Sequence, residues 1–199
     1  MDVKDFKKLE KFMAKDNERE FLNRIYEADN YYIASDSYRA SILFKDKNNH
    51  TIKKDNDDAM ANIAKIVMDA VEDNEILLEV NRKDFSKKLK ELWTESQKII
   101  KKRRLGRIIK LNIDYDNSII KLSSDGIYKE INFTDKYNIC SYHKASMNVI
   151  YFNYQYLTDF INYFDNDFIT LQFKNKKNSL VCKDENKVSF VLPFLVKEE

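Results

Sequence analysis

The sequence predicts an α+β protein built from repeats of one helix plus three or four antiparallel strands. The hydrophobic period is the primary signal, and it switches from helical spacing to strand-like runs three times along the 199 residues. Good turn residues separate several of the strand-like runs, as at Asp29-Asn30 and Asp125-Gly126. The length fits one large domain or two small ones, and we place a boundary near Asp73, which divides the chain into residues 1–73 and 74–199.

The first copy of the pattern begins at the N-terminus. Apolar residues recur at helical spacing over residues 3–15, and strand-like runs follow near 21–26, 31–33 and 40–44. The polar residues 45–58 are predicted to be a loop. The apolar residues 59–71 form either a short helix or a packed connector.

The second and third copies repeat this order of elements. In the second copy, a strand at 76–80 leads into a helix predicted over 83–101, and strands follow near 107–114, 118–123 and 127–133. The third copy has a helix over about 153–164 and strands near 168–174, 179–183 and 188–196. Because the order of elements recurs, the sequence indicates a repeated architecture.

The composition excludes several classes of protein. A formal net charge of +2 excludes a histone-like basic protein, although one basic face remains compatible with it. Only two glycines and one proline argue against glycine-rich phosphate loops and flexible linkers. There is no apolar leader and no apolar run of about 20 residues, so we expect a cytoplasmic protein that does not bind a membrane.

Residues that could support catalysis or hold a metal ion do not form a convincing set. Cys140 and His143 have a spacing that could provide half of a metal site, but no second pair accompanies them. Cys182 lies far from both, and no serine has an evident base beside it. We therefore expect a protein that is not an enzyme and that needs neither metal nor cofactor.

Two basic clusters are candidates for contact with nucleic acid. Lysine and arginine neutralise phosphates without reading sequence, which suits a protein that binds DNA loosely. The ordinary alternative is a solvated helix face. The predicted DNA-binding residues are Lys7, Lys8, Lys11, Lys15, Lys87, Lys88, Lys98, Lys101, Lys102, Arg103, Arg104 and Arg107.

Four segments resemble bacterial DNA sliding clamps, the β subunit of DNA polymerase III, and they occur in the same order as in that family. Residues 152–160 (FNYQYLTDF) resemble the start of its last helix, and residues 189–196 (SFVLPFLV) resemble its terminal strand. Residues 33–40 (IASDSYRA) resemble a turn of its middle domain, with Ser37 and Tyr38 replacing the family's Gly-His. Residues 60–67 (MANIAKIV) align loosely with the connector that follows, without its proline.

The resemblance implies a shortened clamp-like fold. Residues 1–73 would correspond to half of the middle clamp domain plus the connector, and residues 74–199 to the C-terminal clamp domain. The family's activity then implies a DNA polymerase processivity factor, in which an oligomeric ring encircles double-stranded DNA and tethers polymerase. The reduced length would also suit a phage or mobile-element origin.

The resemblance also implies a groove that binds polymerase and clamp-loader peptides. The ordinary alternative for its apolar members is that they are strand core and edge residues. The implied groove residues are Arg39, Ala40, Lys65, Ile66, Phe190, Leu192, Pro193 and Phe194. Two other functions stay open: a clamp-like adaptor or inhibitor that binds host replication proteins without forming a ring, and a simple DNA-binding protein that does not encircle its ligand.

Overall fold

The computed structural model describes residues 3–15, 18–47, 49–52, 58–72, 76–99, 108–135, 149–173 and 179–194. The helices in these ranges are α1 (Val3–Leu9), α2 (Ala59–Glu72), α3 (Arg82–Ile99) and α4 (Tyr154–Tyr163), with short 3₁₀ turns at Glu10–Phe12 and Glu20–Asn23. The strands are β1 (Tyr26–Glu27), β2 (Tyr31–Ser35), β3 (Arg39–Phe44), β4 (Ile76–Asn81), β5 (Ile108–Asp114), β6 (Ile119–Ser124), β7 (Ile127–Asp135), β8 (Val149–Asn153), β9 (Phe168–Phe173), β10 (Leu180–Lys183) and β11 (Lys187–Val191).

The strands form one antiparallel sheet of 11 strands in the order β1-β2-β3-β11-β10-β9-β4-β7-β6-β5-β8. Strand β3 pairs with β11, and the Oγ atoms of Ser41 and Ser189 approach to 2.7 Å across that pair. Strand β4 lies between β9 and β7 and so connects the two strand meanders that follow it in the chain. Segments that are far apart in sequence therefore share one continuous hydrogen-bonded layer.

Helices cover both faces of part of this sheet. Alternate residues of β3 point to opposite sides: Leu43 belongs to the larger core with Leu9 and Phe160, while Ile42 belongs to a second core with Met60. Helices α1, α3 and α4 pack on the first side, and α2 packs on the second. This double coverage explains why all six residues of β3 are buried.

The predicted repeat and the α+β class are confirmed. One unit contains α1 and β1–β3, a second contains β4, α3 and β5–β7, and a third contains β8, α4 and β9–β11. Asp125 and Gly126 both have positive φ, 52° and 83°, which the tight turn between β6 and β7 requires and which glycine adopts without strain. The proposed division into residues 1–73 and 74–199 stays a prediction, although the second core takes residues from both parts.

Several predicted boundaries were wrong for identifiable reasons. The helix predicted over 3–15 stops early, because Met13 is extended and the Ala14 N–H donates to the Leu22 carbonyl oxygen instead. Near residue 21 the chain forms a 3₁₀ turn, not a strand. Residues 59–71 are helical, which settles the choice left open between helix and connector.

The C-terminal strand and β8 also differ from the prediction. The strand predicted over 188–196 ends at Val191, just before Pro193, which has no N–H for a ladder. The Leu192 N–H donates a hydrogen bond to the Tyr38 carbonyl oxygen, and the Phe194 N–H donates one to the Tyr151 carbonyl oxygen on β8. Strand β8 itself was missed, although its alternating burial is the pattern typical of a half-covered strand.

Candidate functional site

Helices α3, α4 and α1 lie side by side on one face of the sheet, with α4 in the centre. The Ser86 Oγ donates to Asn162 Oδ1 at 2.9 Å, and the rings of Trp93 and Tyr154 stack with centroids 4.2 Å apart. On the other flank, the Lys8 ammonium donates to the Tyr163 carbonyl oxygen at 3.2 Å. These contacts make the three helices one continuous surface above the core.

The solvent side of α3 carries a row of lysines. Phe85, Leu89, Leu92 and Ser96 form its buried side. At 100° per residue, Lys83, Lys87, Lys90 and Lys98 lie diametrically opposite, and we call these four residues the lysine stripe. All four are exposed, although Lys83 pairs with Asp167 at 2.7 Å and Lys87 lies 4.0 Å from Glu91.

Helix α1 presents a second row of lysines to the same side. Leu9 is buried, so Lys4 and Lys7 project away from the core by the same geometry, and Lys11 in the 3₁₀ turn that follows is also exposed. Between the two rows, the exposed or half-exposed residues of α4 include the uncharged Gln155, Thr158 and Asn162. The helical layer therefore has two rows of lysines, and the uncharged exposed residues of α4 lie between them.

The predicted DNA-binding residues have different surroundings in this layer. Lys7, Lys11, Lys15, Lys87 and Lys98 are exposed, as contact with phosphate requires. Lys8 is largely covered and pairs with Asp165 at 2.7 Å, and Lys88 pairs with Asp84 at 2.9 Å. Lys101, Lys102, Arg103, Arg104 and Arg107 lie outside the described residues. The helical spacing of α3 could have added Lys83 to the predicted set, and it places Lys90, which belongs to the same basic cluster of the sequence, on the exposed side as well.

The residues of the implied peptide groove divide between the two faces of the sheet. Ala40 and Phe190 are cross-strand partners on the face that α2 covers, and α2 carries the exposed Lys65 and Ile66. Beyond β11, Leu192 and Phe194 expose apolar side chains beside the half-buried Pro193. Arg39 does not join this surface, because strand alternation turns it to the opposite face.

Arg39 instead connects three elements at a buried position. Its guanidinium bonds to Asp36 Oδ2 at 2.9 Å, to Asp159 Oδ2 at 2.7 Å and to the Lys11 carbonyl oxygen at 2.6 Å. It also lies 4.4 Å from the centroid of the Tyr156 ring. These contacts fix β3 to α4 and to the 3₁₀ turn after α1, or order the turn that precedes β3. This is the role of a structural cross-link.

A cavity of about 830 Å³ opens beside this cross-link on the helical side. Lys7, Lys11 and Lys15 contribute to its lining, together with Tyr38 and Tyr156. Tyr38 is 61% exposed, and its ring stacks with that of Tyr156 at 6.2 Å. The cavity was not predicted, because the residues that line it come from three separate segments of the chain.

Strand β7 has a long unpaired edge in the described part of the chain. On one side, β6 pairs with residues 127–132 of β7. On the other side, β4 pairs only with Phe133, Thr134 and Asp135. Residues 127–132 therefore offer backbone N–H and C=O groups that no described strand engages, and such an edge can accept a strand from another chain.

The described residues were also compared with the requirements of a metal centre and of a membrane-spanning helix. Among them, no group of three His, Cys, Asp or Glu side chains could hold a metal ion. No helix in the same ranges is long and apolar enough to cross a membrane. Cys182 is fully buried, and burial raises the pKa of its thiol well above the usual value. Cys140 and His143 lie outside the described residues.

Comparison with known proteins shows which known fold this chain resembles. No family model matches the sequence, and no curated protein matches it. Among solved structures, the DNA polymerase sliding clamp of Pseudomonas aeruginosa superposes with a TM-score of 0.66 at 12% identity, covering 97% of this chain and 65% of that one. The Caulobacter crescentus beta sliding clamp gives 0.66 at 14% identity, covering 98% and 65%. The DNA polymerase III subunit beta of Bartonella birtlesii gives 0.63 at 16% identity, covering 98% and 64%.

These comparisons confirm the fold that the resemblance implied. The chain has a shortened clamp-like fold and spans just under two thirds of the length of the sliding clamps that it matches. At 12–16% identity the likeness concerns the fold alone. The surfaces of this chain must therefore carry any argument about what it does.

Proposed function

We propose that this protein is a DNA polymerase processivity factor, a sliding clamp whose copies assemble into a ring around double-stranded DNA. The observation that carries the proposal is the two rows of lysines that share one helical face of a clamp-like fold. Lysines in such rows contact phosphates without reading bases, so the contacts let the protein move along the duplex. No bond is made or broken by the clamp itself.

The unpaired edge of β7 supports self-association. A strand from a neighbouring copy could add to residues 127–132 and continue the sheet around the ring. Two copies of β7 itself would pair poorly: centring an antiparallel pair on Lys129 or Glu130 puts two like charges directly opposite each other. We therefore expect a head-to-tail contact between different surfaces, which closes into a ring when the rotation permits.

The apolar surface around Ile66, Phe190, Leu192 and Phe194 supports the tethering of polymerase and loader peptides. Exposed apolar side chains on α2 and beyond the end of β11 suit an extended peptide with apolar anchors. Lys65 at its border would favour peptides that carry an acidic residue. Leu192→Ala combined with Phe194→Ala should weaken such peptides and leave assembly unchanged.

Encirclement can be tested without a loader by allowing rings to thread onto open DNA ends. A short duplex with biotin at both ends is mixed with the protein, streptavidin then blocks both ends, and the sample is challenged with high salt. A closed ring stays trapped on the doubly blocked duplex and escapes from a duplex blocked at one end. Equal release from both duplexes would refute encirclement.

Charge reversals on the two sides of the sheet test the helical face. Lys87→Glu with Lys90→Glu should weaken duplex binding strongly and make its salt dependence shallower, by about 0.9 in log–log slope for each lost phosphate contact. Lys65→Glu makes the same kind of change on α2, on the opposite side of the sheet, and should leave duplex binding nearly unchanged. Equal effects of both changes would contradict the assignment of the DNA face.

The mass of the assembly decides between the ring and its main alternative. Light scattering at micromolar concentration should give a closed multimer. A strict monomer that still binds polymerase peptides would favour the clamp-like adaptor or inhibitor.

A further inference from the structure

A second surface with aromatic and cationic residues lies on the side of the sheet away from α1, α3 and α4. In strands β5, β6 and β8, alternate residues such as Ile109, Leu122 and Phe152 are buried in the larger core. The intervening residues face the other way and are partly exposed. Helix α2 lies on that side, but it packs on β2, β3, β10 and β11 rather than on β5–β8. We call the exposed side of β5–β8 the outer sheet face.

One row of residues crosses the outer sheet face at right angles to the strands. Register pairs Tyr151 of β8 with Lys110 of β5, Lys110 with Ser123 of β6, and Ser123 with Tyr128 of β7. Adjacent strands lie about 4.8 Å apart, so the two tyrosines stand about 14 Å from each other with Lys110 between them. Two aromatic rings and a cation are thus held in line by the backbone ladder.

A second lysine adds positive charge to the same row. Lys121 places its ammonium nitrogen 3.7 Å from the centroid of the Tyr128 ring, and it pairs in register with Glu130. Lys110 has no ion-pair partner among the described residues. The row borders a cavity of about 530 Å³ that both lysines and both tyrosines line, and the carboxylate of Asp125, which also lines it, accepts a hydrogen bond from Ser124 Oγ at 2.7 Å.

We infer that the outer sheet face binds single-stranded nucleic acid, with bases stacked on Tyr128 and Tyr151 and phosphates beside Lys110 and Lys121. Aromatic side chains exposed on an antiparallel sheet stack on unpaired bases whatever their sequence, and lysines between them meet the backbone charge. A duplex lacks the exposed base faces that the tyrosines require. A peptide carries much less negative charge than a nucleic-acid backbone, so it would interact less strongly with Lys110 and Lys121. This site does not depend on the proposed ring, because it uses the opposite side of the sheet from the lysine stripe.

The test uses the full chain and a fluorescent oligothymidylate, with binding followed by anisotropy. Tyr128→Ala and Tyr151→Ala should each weaken binding about tenfold. Tyr128→Phe and Tyr151→Phe keep the rings and should keep the affinity, which separates stacking from loss of structure. Lys110→Ala should make the salt dependence shallower by about 0.7 in log–log slope.

Controls separate this surface from the helical face. Lys87→Ala should leave oligothymidylate binding unchanged while it weakens duplex binding. The inference would be overturned by undetectable binding of oligothymidylate, by alanine variants with wild-type affinity, or by equal sensitivity to Lys87→Ala. An unlabelled acidic peptide that displaced the oligothymidylate at lower concentration than unlabelled oligothymidylate does would also overturn it, because the surface would then be a peptide site.

Discussion

Replacing Arg39 by alanine should reveal that this residue is a structural cross-link and not part of a peptide groove. The Arg39 and Asp159 side chains are 7% and 6% exposed, so their ion pair is buried. Arg39→Ala would leave the Asp159 carboxylate buried with one remaining described partner, the Gln155 Nε2 amide at 3.0 Å. The Lys11 carbonyl oxygen and the Asp36 carboxylate would also lose their contacts with the guanidinium.

The expected magnitude follows from the burial of that pair. Removing one partner of a buried ion pair costs about 3–5 kcal/mol, because the other charge is left uncompensated. The loss of packing against the Tyr156 and Phe12 rings acts in the same direction. Since a domain of this kind has only about 5–15 kcal/mol of stability, Arg39→Ala should remove a substantial fraction of it.

Urea denaturation followed by far-UV circular dichroism would measure this effect. A double-mutant cycle with Asp159→Ala should give a coupling free energy of about 1–3 kcal/mol, because the double variant no longer buries an unpaired charge. Lys45→Ala is a useful control, since Lys45 follows the same strand and pairs with Glu27 at the surface. That variant should cost much less.

Two results would refute the reasoning about Arg39. One is a loss below about 1 kcal/mol, which is the range of an exposed pair. The other is a fully stable Arg39→Ala variant that fails to bind polymerase peptides, which would return Arg39 to the groove.

Two further predictions concern the helices that carry the candidate DNA face. Burial alone would raise the pKa of Asp165, but hydrogen bonds from Lys187, Lys8 and Lys4 outweigh it and hold that pKa well below its usual range. A depressed carboxyl pKa stabilises the fold above the unfolded value of about 4, and this stabilisation is lost as the pH falls below it. Asp165→Asn should therefore lose less stability than the wild type between pH 7 and pH 3, and equal losses in urea titrations would contradict this. Asn153 caps α4 by accepting hydrogen bonds from the Gln155 and Tyr156 N–H groups at 2.9 and 3.4 Å. Asn153→Ala should therefore lower the free energy of unfolding by about 1 kcal/mol in the same assay. An unchanged urea midpoint would argue against a stabilising cap.

Much of the fold was predictable because its signals are local. The spacing of Phe85, Leu89 and Leu92 predicts α3, and Asp125-Gly126 predicts the hairpin turn between β6 and β7. The exposed lysines of α3 follow from the same spacing, since its apolar residues fix which side faces water. The order of one helix and several strands then repeats, and this repeat can also be read from the sequence.

The placement of Arg39 shows where local signals end. Strand alternation alone could have separated Arg39 from Ala40, but the partner Asp159 lies 120 residues away and no pattern in either segment points to the other. The groove implied by resemblance therefore included a residue that faces the opposite side of the sheet.

By itself, the sequence determined the helices α1, α3 and α4, most of the strands and their threefold order, because hydrophobic period and turn chemistry act over a few residues. Only the tertiary structure decided that β3 pairs with β11, that one edge of residues 127–132 of β7 meets no other described strand, and that tyrosines from β7 and β8 share a row with Lys110. These features depend on which strand edges meet across long separations in the chain. That choice is made by the packing of the whole core.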